Sequence, residues 1–255
     1  MTTLAPPATP EVNELDLPDL RQSLALGWRD FTRAPLYGMA FAAVYVLGGW
    51  LIVWAMTAKG QIWWTLPASA GFPILGPFIA CGFYEISRRL ETGEPLRAGE
   101  IFGVIFRQKD RQIPSIAAVI VVFFLFWNFL AHMIFALFLG RATMTNVSSS
   151  LTIFTTPEGI AMLAVGTIVG AIFATLLFSL TVVSLPMLLD REVDFVTAML
   201  KSFALVQENP VLMLGWGAMI AVILFVAMLP WFLGLFLALP VLGHATWHLY
   251  RRAIT

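Results

Sequence analysis

The sequence predicts an all-α membrane protein with six transmembrane helices, arranged as three parallel repeats, with both termini in the cytoplasm. Of its 255 residues, 59% are hydrophobic and only 12% are charged. Six segments each approach the ~20 apolar residues that a helix needs to cross a bilayer. Thirteen of the fifteen Lys and Arg residues fall on one side of these segments, which indicates a single orientation in the membrane.

The six predicted spans are residues 37–57, 63–87, 114–139, 160–189, 210–229 and 231–250. The last two are separated only by Pro230 and could form one interrupted segment of roughly forty residues, which is too long for a single crossing. Two helices in a tight hairpin are therefore the better interpretation.

The distribution of positive charge gives the orientation. Three basic residues precede the first span, six lie between the second and third, two lie between the fourth and fifth, and two follow the last. Only Lys59 and Arg141 lie on the opposite side. Because cytoplasmic loops carry the excess of Lys and Arg, both termini are expected inside. The Arg-rich, Lys-poor composition suits a bacterial inner membrane.

The sequence predicts a short tail followed by one domain. Residues 1–17 are rich in proline, contain Glu11, Glu14 and Asp16, and lack the basic and apolar regions of a signal peptide. We expect a disordered cytoplasmic tail there. Residues 18–255 form a single transmembrane domain.

Three similar units follow one another in that domain, at about residues 18–90, 91–189 and 190–255. Each begins with an amphipathic stretch that ends in a proline, and each continues into two spans. In the first unit, Leu20, Leu24 and Trp28 recur at helical spacing, while Asp30 falls on the remaining polar surface. Such a helix is expected to lie in the cytoplasmic interface. Because every unit starts on the same side, the repeats are parallel and their axis should follow the membrane normal.

Two pairs of polar residues occupy equivalent positions in the second and sixth spans. Cys81 and Glu85 correspond to His244 and His248, and each pair is one helical turn apart. A metal or haem site is one interpretation, because imidazole, thiol and carboxylate groups are metal ligands. The other is that these side chains simply reach the polar interface, and it is favoured because the spacing alone is a weak signal. No cofactor is therefore predicted.

A third polar pair, Asn128 and His132, lies near the middle of the third span. Polar groups at that depth should face protein or water. An interhelical hydrogen bond is the favoured interpretation, and a path for a proton or a substrate is the alternative.

Basic residues at the cytoplasmic side form a predicted surface for anionic lipid or an acidic partner, and they are Arg88, Arg89, Arg107, Lys109, Arg111, Arg251 and Arg252. Phosphate-binding loops, nucleophile elbows and paired Cys-x-x-Cys motifs are absent from the sequence, so no enzyme activity is predicted. The net charge of zero gives no support for nucleic-acid binding.

Three stretches resemble a family of bacterial predicted integral membrane proteins of unknown function. They include Gly27-Trp28-Arg29-Asp30-Phe31, Gly82-Phe83-Tyr84-Glu85-Ile86-Ser87-Arg88-Arg89 and Leu185-Pro186-Met187-Leu188-Leu189-Asp190-Arg191. Some members carry an automatic label as cytochrome c oxidase subunit I. That subunit has about twelve spans and several haem and copper histidines, whereas this chain has six predicted spans and three histidines. The resemblance implies at most a component near a terminal oxidase.

These observations together predict a non-catalytic inner-membrane protein that serves as an accessory, assembly or scaffolding component of a larger membrane complex. Its expected partners are the lipid bilayer and subunits of a respiratory complex. The alternative function is a small-molecule transporter or channel.

Overall fold

A computed structural model describes residues 10–59, 65–140 and 154–255, which are mostly helical, with turns and short irregular connections and one β-bridge, between Val12 and Ile254. The helices are α1 Leu17–Arg33, α2 Pro35–Lys59, α3 Thr65–Thr92, α4 Ala98–Gln108, α5 Ile113–Leu139, α6 Pro157–Thr181, α7 Ser184–Asp190, α8 Phe195–Glu208, α9 Pro210–Met228 and α10 Leu235–Ala253.

Proline marks the passage from each short amphipathic helix to the long helix after it. Pro35 and Pro210 are the first residues of α2 and α9, and Pro114 is the second residue of α5. Proline fits the first turn of a helix, where its missing N–H has no intrahelical acceptor, and it cannot extend the helix before it. The N-terminus of α1 is fixed by a capping box between Asp16 and Asp19.

Four helical segments of the described residues are long and apolar enough to cross a membrane: Pro35–Ala55, Ile113–Leu139, Pro157–Asp190 and Pro210–Met228. They correspond to the predicted first, third, fourth and fifth spans. The predicted second and sixth spans fall on α3 and α10, which are helical and are not among these four segments. The second half of α10 is too polar for that group, because it carries His244, Thr246, His248 and two arginines.

Burial is concentrated at one end of the long helices. In α9 the buried residues Met213 and Trp216 lie near its start, whereas Val222 and Phe225 farther along are exposed. In α10 nearly every residue from Leu242 to Ala253 is buried. We call this end the base, and it comprises α1, α4, α7 and α8 with the adjoining ends of the long helices. Away from the base the long helices expose mainly apolar side chains.

The helix α1 packs against α10 at very short range. A Cβ atom on Gly27 would lie 2.7 Å from the backbone nitrogen of Ala245 and 2.7 Å from the carbonyl oxygen of Val241. The face of α1 toward the protein carries Leu20, Ser23, Gly27 and Asp30, all buried. The expectation that Asp30 lies on the polar outer surface is therefore wrong, while Trp28 on the apolar stripe is 51% exposed.

Each amphipathic helix packs on the helix that ends the preceding unit. Thus α4 lies on α3, α8 lies on α6 and α7, and α1 lies on α10, which joins the first unit to the last. Helices α3 and α5 are in extended contact, as are α10 and α2. The corresponding pair, α6 and α9, touches only slightly.

The first residues that the structure describes pair with the end of the chain. The backbone N–H of Glu11 donates to the carbonyl of Thr255 at 3.1 Å, and that of Asn13 donates to the carbonyl of Ala253 at 2.9 Å. The predicted disordered tail covers residues 1–17, of which residues 1–9 lie outside the described part. From Pro10 onward the segment is held against the base.

Six residues, 229–234, form the turn between α9 and α10, where the prediction placed Pro230 alone. Trp231 and Phe232 have φ angles of 53° and 65°, in the left-handed region that non-glycine residues rarely adopt. The indole N–H of Trp50 donates to the carbonyl of Trp231 at 2.7 Å, which satisfies one backbone group of this turn. As a result, α10 begins at Leu235, four residues later than the predicted span.

Candidate functional site: a polar network in the base

A buried polar network joins α1, α3 and α10 inside the base. Nε2 of His248 lies 2.7 Å from Oδ2 of Asp30, and Oγ of Ser87 lies 2.8 Å from Nδ1 of His244. All four residues are buried. Because an ionised carboxylate can only accept hydrogen bonds, Nε2 of His248 carries the proton in its bond to Asp30. The two contacts join residues that are 218 and 157 positions apart in sequence.

The charge of Asp30 is maintained despite its burial. Desolvation raises the pKa of this carboxyl, but hydrogen bonds from His248, Arg29 and Ser87 and the charge of His248 more than compensate. The net effect places the pKa of Asp30 below its ordinary value. Arg29 reaches Oδ1 of Asp30 at 3.0 Å from the neighbouring position on α1.

A second set of charges surrounds Glu85 at the end of α3. Its carboxylate accepts from Nε of Arg88 at 2.9 Å and from Nε of Arg89 at 2.8 Å. Arg89 also contacts Glu100 of α4, and Arg107 of α4 lies 3.5 Å from Glu85. These contacts fasten α4 to α3 and neutralise a carboxylate that is almost fully buried.

A third set lies where α7, α10 and the end of α3 meet. The hydroxyl of Tyr250 donates to Asp190 at 2.7 Å, and Arg251 bridges Asp190 and Glu91. Arg191 donates to the carbonyls of Ile254 and Thr255 at 3.2 and 3.1 Å. The connection before α8 and the end of the chain therefore lie at the same end of the molecule.

The four predicted metal or haem candidates have separate partners. His244 bonds to Ser87, His248 to Asp30 and Glu85 to the two arginines, while Cys81 is a buried free cysteine. In the part of the chain that the structure describes, no three His, Cys, Asp or Glu side chains are grouped so that they could hold a metal ion. The bonds of His244 and His248 fasten α10 to α3 and to α1.

Most residues of the predicted basic surface form ion pairs within the base. Arg88, Arg89 and Arg107 pair with glutamates of α3 and α4, and Arg251 and Arg252 pair with acidic residues of three other segments. Arg111 pairs with the exposed Glu192 at 3.4 Å. Lys109 is exposed, and no ion pair within the described residues includes it.

Asn128 and His132 form their hydrogen bonds along α5. The amide of Asn128 donates to the carbonyl of Phe124 at 2.8 Å, and Nδ1 of His132 lies 2.7 Å from the carbonyl of Asn128. His132 is exposed. Both hydrogen bonds therefore connect successive turns of α5.

Apolar grooves separate some of the long helices. One of about 600 Å³ lies between α6 and α9, and its walls include Ala171, Ala174, Gly217, Ala218 and Ala221. Another of about 510 Å³ lies between α1, α9 and α10. A groove of about 440 Å³ between α5 and α6 is lined by residues such as Trp127 and Phe135.

Sequence reasoning missed Asp30 and Ser87 as parts of the network. A signal for Asp30 exists in the spacing of Ser23, Gly27 and Asp30, which places two small residues and a carboxylate along one face of α1. Small residues at such spacing permit close approach of two helices, so that face was the better candidate for the buried one. Nothing comparable distinguishes Ser87.

Comparison with known proteins identifies a family without assigning an activity. Residues 65–190, from α3 to the end of α7, match the family described as "Predicted integral membrane protein (DUF2189)". This match confirms the predicted resemblance to a membrane protein family of unknown function. No curated protein and no solved structure matches the chain.

Proposed function

We propose that this chain, whose residues 65–190 belong to the DUF2189 family of predicted integral membrane proteins, is a non-catalytic accessory or scaffolding component of a larger complex in the bacterial inner membrane. In this proposal the chain crosses the membrane six times, and its base faces the cytoplasm. The groove between α6 and α9 receives a transmembrane helix of the partner.

The crossing number is supported by the lengths and surroundings of α3 and α10. These helices have 28 and 19 residues, which correspond to about 42 and 28 Å at 1.5 Å per residue. Both helices carry buried polar residues, Glu85 and Ser87 on α3 and His244 and His248 on α10, that face the interior of the bundle, where such residues are tolerated in membrane proteins. A helix sheltered by its neighbours needs less apolar surface than one exposed to lipid.

The orientation is supported by the composition of the base. The segment that begins at Pro10, the end of the chain and the connections near Glu91 and Arg191 are joined there by hydrogen bonds. All of them must therefore lie on one side of the membrane. The basic residues concentrate at this end, which favours the cytoplasmic side.

The observation that carries the proposed function is the open junction between α6 and α9. If the three units are equivalent, the returning helix of each unit should pack on the outgoing helix of the next. Helices α3 and α5 and helices α10 and α2 do so, whereas α6 and α9 leave an apolar groove of about 600 Å³. A further helix can occupy the space that packing leaves open at this junction.

The lining of the groove suits a helix. Transmembrane helices associate through small residues that let their backbones approach closely, and both walls carry such residues. The α6 wall carries Ala171, Ala174 and Thr175, and the α9 wall carries Gly217, Ala218 and Ala221. Subunits of a respiratory complex, such as a terminal oxidase, are the partner class to look for first.

The test is purification of a chromosomally tagged copy in mild detergent, followed by mass spectrometry of the proteins that accompany it. We expect a stoichiometric membrane partner with the unmodified chain and its loss with the double variant Ala218→Leu, Ala221→Leu. Gly215→Leu is the matched control, because a Cβ atom at Gly215 meets open space outside the groove. A chain that purifies alone at native abundance would refute the scaffolding proposal.

The transporter alternative makes a different prediction. If Asn128 and His132 line a path, then replacing both by apolar residues abolishes flux while the protein remains as abundant as before. Their hydrogen bonds along α5 instead favour a local role. Under the scaffolding proposal the double variant still copurifies with the partner.

A further inference from the structure

We infer that the groove between α1, α9 and α10 binds one acyl chain of an anionic phospholipid whose phosphate contacts Arg21. This site is separate from the α6 and α9 groove and goes beyond the scaffolding proposal. It rests on the orientation given under the proposed function, with the base on the cytoplasmic side, and not on the scaffolding role.

The groove is apolar along its whole length. Its volume is about 510 Å³, and its lining includes Leu24 and Trp28 of α1, Val222 and Val226 of α9, and Leu237 and Leu242 of α10. The stretch from Gly234, the N-cap of α10, to Leu242 covers about 12 Å at 1.5 Å per residue. This length approaches the thickness of one leaflet, about half of the ~30 Å hydrocarbon core.

A guanidinium group lies at the end of the groove nearer the base. Arg21 precedes Leu24 by three residues and Trp28 by seven, so all three side chains share one face of α1. Arg21 is exposed, and within the described residues it has no ion-pair partner. The neighbouring arginine on this helix, Arg29, is in contrast paired with Asp30.

The order of these features along α1 matches the order of groups in a lipid of the cytoplasmic leaflet. The charge lies toward the base, where Asp19 of α1 pairs with Arg252, and the apolar walls extend away from it. Trp28 at the rim is half exposed, and indole rings favour the depth of the headgroups. A basic residue near an anionic membrane surface attracts acidic headgroups, which selects for an anionic lipid over a zwitterionic one.

The apolar groove and the exposed Arg21 together indicate a lipid. An apolar groove alone would accept any acyl chain, and an exposed arginine alone would contact any phosphate. Arg21 and the groove-lining residues of α1 lie on one helix face, with the guanidinium next to the open end of the groove. The ligand that fits this arrangement has both an acyl chain and a phosphate. A partner helix would not need the cation at this position.

The experiment is native mass spectrometry of the full chain released from nanodiscs that contain phosphatidylglycerol and phosphatidylcholine in equal amounts. We expect one phosphatidylglycerol to be retained preferentially. Arg21→Gln should lower that retention about fivefold, in line with the attraction of a single interfacial basic residue. Val226→Trp should lower retention of both lipids, because the indole fills the groove.

Two control variants separate the site from general effects. Arg33→Gln removes another exposed arginine of α1, and Val211→Trp adds an indole to α9 outside the groove, at a position that is 85% exposed. Both should retain the lipid as the unmodified chain does. Equal retention of the two lipids, or unchanged retention by Arg21→Gln, would overturn the inference.

Discussion

Asp30 is buried because three other groups stabilise its charge. The carboxylate accepts from His248 and Arg29, so the cost of removing it from water is offset by bonds that no other position on α1 could make. The same residue therefore fixes the angle and the register of α1 on α10. Its importance depends on a partner 218 positions later in the chain.

Removing that carboxylate should weaken the base. We expect Asp30→Ala to lower the free energy of unfolding by about 3 kcal/mol, since the change leaves His248 buried without its acceptor. Unfolding in detergent micelles, followed by circular dichroism, measures the loss. The exposed Asp110 is the control, and Asp110→Ala should change stability by less than about 0.5 kcal/mol.

A double-mutant cycle isolates the pair itself. The combination of Asp30→Ala with His248→Ala should cost less than the sum of the two single changes, because the second change removes the group that the first leaves unpaired. Strict additivity of the two changes would show that the 2.7 Å contact contributes nothing of its own.

Acid should destabilise the base through the same residue. The pKa of Asp30 lies below its ordinary value in the folded protein, so the unfolded chain takes up the proton first as the pH falls. The stabilisation is complete above about pH 4, the ordinary value for Asp, and is lost as the pH falls through the lowered pKa. Asp30→Asn should flatten the decline of the melting temperature below pH 4, and an unchanged decline would assign the acid sensitivity to other groups.

At the scale of helices, the pairing of α1 with α10 is set by a glycine. Gly27→Ala would place a methyl group 2.7 Å from the backbone of two residues of α10, where no side chain can move aside. We expect a loss of about 1–3 kcal/mol, as for other overpacked interiors. Gly215→Ala on α9 meets open space and should instead stabilise its helix by about 0.5–1 kcal/mol. Melting temperatures that shift in the same direction for both variants would contradict this account of the interface.

The helices show what local pattern can and cannot predict. The start of a helix depends on residues that are neighbours in sequence. The starts of α2, α5 and α9, at or beside a proline, were therefore predictable. Hydrophobic periodicity, in contrast, predicts the wrong inward face of α1, because the apolar stripe through Leu24 and Trp28 lines the groove between α1, α9 and α10. In a membrane both faces of such a helix have apolar or small neighbours, and hydrophobic periodicity alone no longer distinguishes inside from outside.

At the scale of the whole molecule, the charges of the loops predict an orientation in the membrane without predicting which helices are in contact. The partition of Lys and Arg is a property of each loop, and it required no knowledge of which helices touch. The base itself could not be predicted in this way. Its ion pairs join residues from distant segments, such as Arg252 with Asp19, and a single sequence does not reveal such pairs.

The proposed arrangement, six crossings with a cytoplasmic base, has a direct consequence for chemical labelling. Cys81 is the one cysteine of the sequence, so a Cys81→Ser background carries no thiol, and single cysteines can then be placed at exposed sites. Glu192→Cys lies in the base at a position whose side chain is 93% exposed. Trp231→Cys lies in the turn between α9 and α10, at a residue that is 69% exposed.

A maleimide that cannot cross membranes should distinguish the two positions. In intact spheroplasts it should label Trp231→Cys and spare Glu192→Cys, and in inverted vesicles the pattern should reverse. The base holds the chain end beside Arg191, so labelling of both positions from one side would mean that α9 and α10 do not cross as a hairpin. Reversed labelling in both preparations would keep the six helices and turn the base to the outside.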